Sequence, residues 1–415
     1  MSFAWLSVGA LVLAVLISCL TTINVGVLSL AMALIVGVYG GGLSVDTVLS
    51  GFPVPLLVTL VGVTLLFGIA ESNGTLARLT ERAVGLCRGR AGLLPVMFFV
   101  VGFAVATIGA GATPGSALLA QPAMAAAARS SVPPLLMAIM VGNGALAGTL
   151  SPFAPTGIVA HGVMERIGLG GVQWETFAYN ALAHTIVGFG GFLLLGGWRL
   201  FDRRHPRVAT AGHAIGPMGI SHWLTVIGIA VLIASVVVFR VNVGMAALVI
   251  AAILILLRTV DEQKAIQRMP WGVILMVTGV TVLVAMVERA EGLELFTSGI
   301  VNISTPQTIV PVVAFGTGLV SIYSSTSGVV LPAFLPMVPD LAQRMGGSSA
   351  LSIAWSMNIG SSLVDLSSLS TVGALYIAGA APGVDARRLF NGLLVWGLSM
   401  SVVGAALCWV LFGLR

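Results

Sequence analysis

Long apolar runs separated by short polar ones dominate the chain, and their lengths predict its elements. A helix needs about 20 mainly apolar residues to cross a bilayer. Runs of this kind fall near 4–21, 24–40 and 53–72, followed by a basic amphipathic connector over about 74–91. Two shorter apolar segments, 93–108 and 115–129, flank Thr107-Ile108-Gly109-Ala110-Gly111-Ala112-Thr113-Pro114-Gly115. Glycine and proline at that density end a helix, so the region 93–130 predicts a re-entrant hairpin. A run over 133–164 is interrupted at Ser151-Pro152-Phe153-Ala154-Pro155-Thr156-Gly157, and a last span covers 177–198. The same order then returns. Spans near 223–239, 243–258 and 270–288 precede a hairpin over 306–343, with its tip at Tyr323-Ser324-Ser325-Thr326-Ser327-Gly328, a broken span over 349–380 and a final one over 389–413.

Residue matches accompany the repeated order, and internal repeats change the reading of the whole fold. Trp5-Leu6 returns as Trp223-Leu224 and Asn24-Val25-Gly26 as Asn242-Val243-Gly244, both 218 residues on. Gly62-Val63-Thr64 returns as Gly279-Val280-Thr281 and Glu71 as Glu288, 217 residues on. Thr113-x-Gly115 matches Thr326-x-Gly328, while Asn143 and Thr156 match Asn358 and Thr371. Collinear matches with small drifts indicate duplication: a first repeat over 1–198, a polar linker over 199–222 and a second repeat over 223–415. Five spans and one hairpin per half is an odd number of crossings, so the second copy is predicted to be inverted.

Composition agrees. Of 415 residues, 58% are hydrophobic and only 8% charged, against about 25% charged in soluble proteins. The chain is therefore read as an all-α polytopic membrane protein with about ten spans and two hairpins. The net charge of +5 is spread between apolar runs, which argues for membrane orientation and against nucleic acid. With both termini outside, the inner connections hold Arg78, Arg82, Arg88, Arg90, Arg129, Arg199, Arg203, Arg204, Arg207, Arg258, Lys264, Arg268, Arg387 and Arg388, 14 of the 19 basic residues. That is the positive-inside pattern of a bacterial-type inner membrane. Residues 1–20 lack a basic start, so the first run is read as a retained span. Cys19, Cys87 and Cys408 have no metal-ligand spacing, and no cofactor is implied.

Non-helical backbone at membrane depth must line a cavity or be buried in protein. Four breaks in matching positions point to one central site, where half-helix N-termini attract an anion and C-terminal carbonyls a small cation. The side chains there are neutral: Thr107, Thr113, Ser324, Ser325, Thr326 and Ser327 at the tips, with Asn143, Thr149, Ser151, Thr156, Asn358, Ser361, Ser362, Ser367, Ser368, Ser370 and Thr371 around the breaks. About half of these hydroxyls are expected merely to bond back to their own helix. No Arg or Lys falls in the predicted core, so a dianion would be held by helix ends, hydroxyls and a co-bound cation.

The stretches Gly51-Phe52-Pro53, Val61-Gly62-Val63-Thr64-Leu65-Leu66-Phe67, Ser72-Asn73-Gly74, Arg88-Gly89-Arg90 and Ile108-Gly109-Ala110 resemble the N-terminal region of MatC-type malonate and dicarboxylate carriers, over roughly residues 1–165. That family lies in the ion-transporter superfamily with the divalent-anion/sodium symporters. The resemblance implies a homodimer in which a domain holding both hairpins moves like an elevator against a scaffold. It also implies substrate binding at Gly111-Ala112-Thr113 and Ser324-Ser325-Thr326, which match the symporters' tip triplets but lack their Asn. Around them Asn143, Asn358, Pro155, Thr156, Ser370 and Thr371 complete the expected substrate site. Cation sites are expected at Thr107 with Gly148, and at Ser321 and Ser325 with Asp365. Sodium is favoured over a proton as the coupling ion.

Asp365 is an intramembrane carboxylate, a functional residue by default, and its first-half counterpart is Leu150. His161 and His184 are candidates for a proton relay, against the commoner role of bonding across helices. Two other readings stand beside a cation-coupled carrier of a small dicarboxylate. One is a cation/proton antiporter or a carrier of another anion on the same fold, which Asp365 favours. The other is a membrane-embedded hydrolase, for which no nucleophile elbow accompanies the histidines. The chain is read as no enzyme, and without a G-x-x-x-x-G-K-[ST] loop it is not driven by ATP.

Overall fold

The computed structural model describes residues 3–21, 23–85, 91–201, 217–346, 349–381 and 383–414. Cys87, Arg88 and Arg90 of the connector, Arg203, Arg204 and Arg207 of the linker, and Arg415 lie outside the described residues.

The first half runs α1 (Phe3–Leu20), α2 (Val25–Ile35, prolonged by a π turn over Val36–Gly40), α3 (Val45–Leu49), α4 (Val54–Ser72) and α5 (Thr75–Gly85). Next come α6 (Leu93–Val105, prolonged over Ala106–Ala110), α7 (Ala112–Arg129), α8 (Pro134–Ala147), α9 (Pro155–Arg166) and α10 (Gln173–Leu194). The second half repeats this order: α11 (Ile220–Val237), α12 (Val243–Leu256), α13 (Glu262–Arg268), α14 (Trp271–Arg289), α15 (Leu293–Asn302) and α16 (Ile309–Tyr323). After a π turn over Thr326–Val330 follow α17 (Leu331–Phe334), α18 (Val338–Arg344), α19 (Ala350–Leu363), α20 (Thr371–Ala378) and α21 (Ala386–Cys408). Every described element is helical. Among the described residues seven helices are long and apolar enough to cross a membrane, or eight when the pair Ile309–Ile322 and Thr326–Arg344, bent by 119°, is taken as one. Four shorter apolar helices, including Phe3–Ile17 and Val243–Leu256, fill positions expected of spans.

Residues that match between the two halves do the same work in packing. Asn24 and Asn242 each cap a helix, accepting from Gly26 N at 2.9 Å and from Gly244 N at 3.0 Å. The capped glycines then sit at helix crossings. A Cβ on Gly26 would run into the backbone of α14 at Leu275, and one on Gly279 into Gly26 itself. At a second crossing a Cβ on Gly62 would strike Gly244, and one on Gly244 would strike Thr59. α2 thus crosses α14 as α12 crosses α4, through repeat-related residues. Small residues permit such close backbone approach where lipid supplies no hydrophobic drive. The same device holds α6 to α8 at Gly144, against Phe99, and α16 to α19 at Gly360, against Ala314.

Helices on either side of the breaks pack across the two halves. α7 meets α20, where buried Tyr376 and Ser116 share a hydrogen bond of 3.1 Å. α9 meets α17. The outward faces expose Leu194, Ile220, Phe239 and Leu256, as lipid-facing helices do. Trp5, Trp174, Trp223 and Trp271 are about half exposed, in keeping with interfacial belts. The second hairpin's return arm is chopped into short pieces because Pro332, Pro336 and Pro339 each remove a backbone donor.

Candidate functional site

The four breaks are made by different local means. At the first tip the chain turns through Gly109 (φ 127°) and Gly111 (φ 80°), conformations that favour glycine. A side chain at Gly109 would also collide with the Phe67 ring of α4. At the second tip no glycine is needed. Ser325 is extended, and its Oγ accepts from Gly328 N at 3.1 Å, capping the return arm. The first broken span is non-helical over Gly148–Ala154, where Ser151 Oγ donates to Thr107 O at 2.6 Å and Gly157 N to Thr149 O at 3.0 Å. The second passes from a 3-10 turn, Val364–Leu366, into α20, whose cap Ser370 accepts from Gly373 N at 3.1 Å.

These breaks enclose one cavity of about 230 Å³. Its lining comprises Ala112 and Thr113 of the first tip, Ser324, Ser325, Thr326 and Ser327 of the second, Thr149 and Thr156 of the first broken span, and Asp365, Leu369, Ser370, Thr371 and Val372 of the second. Ala112, Thr156, Thr326 and Thr371 stand in the first turns of helical segments, so four N-terminal ends with their free N–H groups converge. Asp365 is the one charged residue among the described lining. A cavity so lined attracts anions by dipoles and hydroxyls rather than by ion pairs.

The lining hydroxyls divide into committed and available ones. Ser324 Oγ donates to Val320 O at 2.8 Å, while Ser325 and Ser370 cap helices. Thr326 is turned toward Asp365: its Oγ1 lies 2.7 and 2.8 Å from the two carboxylate oxygens and 3.2 Å from Ser361 O. Ser321 completes this cluster, 2.5 Å from Thr326 Oγ1 and donating to Asp365 Oδ1 at 3.3 Å. Ser370 Oγ also bonds the Asp365 carbonyl. Thr113, Thr149, Thr156, Ser327 and Thr371, by contrast, have no side-chain partner among the described residues. Thr113 and Thr371 are exposed to the cavity. Their hydroxyls are free to donate to an anion.

Of the residues singled out from sequence, Ala112, Thr113, Thr156, Ser324, Ser325, Thr326, Asp365, Ser370 and Thr371 line this cavity together. Gly111 and Pro155 pack on each other behind the first tip, and Pro155 lines a second crevice of about 20 Å³ against Thr64, Phe67 and Glu71. Asn143 and Asn358 are buried off the cavity and donate to their own helices, at Ile139 O and Ala354 O, both at 2.9 Å. Thr107 keeps a buried hydroxyl without a partner, and the Gly148 carbonyl accepts from Ser151 N. His161, too, has an unpartnered, buried Nε2. Leu369 and Val372 carry no sequence signal, because an apolar residue beside a break looks like any other in a membrane helix.

Comparison with known proteins now bears on this geometry. Residues 1–149 match the family of the dicarboxylate carrier protein MatC N-terminus. No curated protein matches the chain. Among solved structures, the YdaH transporter of Alcanivorax borkumensis is similar at a TM-score of 0.61 and 16% identity, over 89% of each chain. MtrF of Neisseria gonorrhoeae, described as illuminating a class of antimetabolite efflux pumps, is similar at 0.58 and 15%, over 91% of this chain and 84% of that one. At those identities the likeness is one of fold. The matched family and both neighbours are transporters, not enzymes, and the chain is an integral membrane protein of transporter fold.

Proposed function

We propose that this chain is a secondary carrier of a small dicarboxylate, malonate or a C4-dicarboxylate, driven by a co-bound cation. The observation that carries the reading is the cavity itself: free hydroxyls and four helix N-termini, no basic side chain, and one carboxylate cluster at the edge. Thr113, Thr156 and Thr371, with Thr149 and Ser327, donate to the substrate carboxylates. Asp365, Ser321, Thr326 and the Ser361 carbonyl gather five oxygen atoms around Thr326 Oγ1, counting that atom, the ligand type that suits a hard cation. A dianion beside Asp365 would be repelled, so a cation seated on this cluster removes the conflict and makes the two ligands bind together. Sodium suits an all-oxygen site better than a proton does.

Alternating access then follows from the two tips. Each closes against the long helices outside the site, Gly109 on Phe67 of α4 and Gly328 on Met276 of α14. The hairpins and broken spans move as one body past α4, α14 and their neighbours, in two inverted halves and as a homodimer in the inner membrane. The immediate test is ligand-induced thermal stabilisation of the purified protein. Malonate or succinate at about 100 times its Kd raises stability by about 2.7 kcal/mol, and does so in sodium but not in choline; acetate has a small effect. Stabilisation by sodium alone, with no response to any dicarboxylate, would favour a cation antiporter built on the Asp365 cluster.

A further inference from the structure

Behind the cavity, α10 crosses between the two broken spans and carries His184 and Asn180 one turn apart. Both are fully buried. His184 Nδ1 lies 3.0 Å from Asn143 Oδ1 of α8, and its Nε2 lies 3.2 Å from Ser362 Oγ of α19. Asn180 faces the same serine, with Oδ1 2.8 Å from Ser362 Oγ. One histidine thus bridges the first-half and second-half broken spans.

The hydrogens of this network can be counted. Asn143 gives Nδ2–H to Ile139 O at 2.9 Å, so its Oδ1 is the atom turned to the ring, and His184 Nδ1 must carry a hydrogen. Asn180 gives Nδ2–H to Leu146 O at 3.0 Å and Ala147 O at 3.3 Å, which turns its Oδ1 to Ser362 as an acceptor. Ser362 has one hydrogen; Ile359 O, a helix carbonyl 3.2 Å away, can do without it, but Asn180 Oδ1 and an unprotonated His184 Nε2 both require it. A neutral ring therefore leaves one buried polar atom unpaired, which destabilises that state. A second proton on the ring removes the conflict: Nε2–H donates to Ser362 Oγ, Ser362 donates to Asn180 Oδ1, and every group is paired.

The surroundings also suit a positive ring. Asn143 and Ser362 lie in the closing turns of α8, which ends at Ala147, and of α19, which ends at Leu363. Each helix end carries about −0.5 of a charge, a field that favours a positive ring over a neutral one against the cost of burial. No titratable residue occurs on α8, α19 or α6. On α10 itself Glu175 is exposed and Tyr179 packs on Trp355 and Phe412. On α21 Arg387 and Arg388 lie at its exposed start, and Cys408 is buried at its far end. Arg199 is exposed, over the Trp198 ring beyond the end of α10. At the spacing that relates Asn143 to Asn358 and Thr156 to Thr371, the matching positions on α21 are Val395 and Ser399, so among the described residues the second half does not repeat this arrangement.

From this geometry we infer that His184 is a proton-binding site, distinct from the Asp365 cluster, whose occupancy ties the two broken spans together through α10. The proton comes from solvent and settles on Nε2. Ser361, next to Ser362, offers its carbonyl to Thr326 of the cation cluster, so the two sites share α19. The inference is independent of which anion is carried. Nitrogen-15 NMR of histidine-labelled protein tests it without any substrate, with the His184 signals identified by their loss in His184→Gln. Between about pH 8 and pH 5, the range in which a histidine switches, Nε2 is expected to shift from the unprotonated to the protonated position while Nδ1 keeps its hydrogen. Ser362→Ala is expected to abolish that shift while leaving the ring signals visible, which also assigns them should the Gln variant not fold. A ring that stays Nδ1–H alone wherever the protein is folded, or a titration unchanged by Ser362→Ala, overturns the inference.

Discussion

Asp365→Asn is expected to leave the protein folded and to weaken cation binding by about 10- to 150-fold, the loss of a hydrogen-bonded charge worth about 1.5–3 kcal/mol. Asparagine keeps the shape of the side chain and one oxygen toward Thr326 and Ser321, so the packing of the turn Val364–Leu366 survives. What disappears is the negative charge that seats the cation. Substrate uptake in this variant should lose its steep dependence on sodium, and the sodium concentration for half-maximal uptake should rise by the same factor where dependence persists. Isotopic uptake across a sodium titration, normalised to folded protein, checks this. A titration that coincides with the wild type would return Asp365 to the role of a helix-end carboxylate held by nearby hydroxyls.

The second large effect separates two threonines that the repeat pairs. Thr113 presents a free hydroxyl to the cavity, whereas the Thr326 hydroxyl is spent on Asp365. Thr113→Ala should therefore weaken dicarboxylate binding by about 10- to 150-fold, the range for a hydrogen bond to a charged group, at unchanged sodium dependence. Thr113→Ser should restore most of it. Thr326→Ala should do the reverse, disturbing the sodium titration through the hydrogen bond that Asp365 loses while altering saturated dicarboxylate affinity much less. Binding isotherms for malonate at several fixed sodium concentrations distinguish the two. Equal, purely substrate-side defects in both variants would mean that Thr326 turns into the cavity when substrate binds.

Much of this architecture could be read in advance, for reasons the residues explain. Asn24 and Asn242 cap helices and the glycines beside them allow close crossings, so their positions in the two halves stay recognisable. The helix breaks at both predicted tips were legible because a helix cannot continue through Gly109-Ala110-Gly111 or through Ser324-Ser325-Thr326. Short α3, α13 and α15 escaped notice, being five to ten residues long and without an apolar run. Asn143 and Asn358 illustrate the limit for side chains. Polar residues near a break look like ligands, yet both donate to the carbonyl four residues back, and Asn143 turns its oxygen to His184. The partnership of Ser321 and Thr326 with Asp365 joins residues 44 and 39 apart, which no local pattern encodes.

The claim at the centre of this account is coupled transport of a dicarboxylate by a site with no basic side chain. It is tested most directly by uptake of labelled malonate into proteoliposomes, with an imposed sodium gradient, with a proton gradient alone, and with neither. Accumulation against a gradient is expected when sodium is imposed, and little with protons alone. Failure to accumulate malonate or a C4-dicarboxylate under any of the three, by protein shown to be folded, would contradict it.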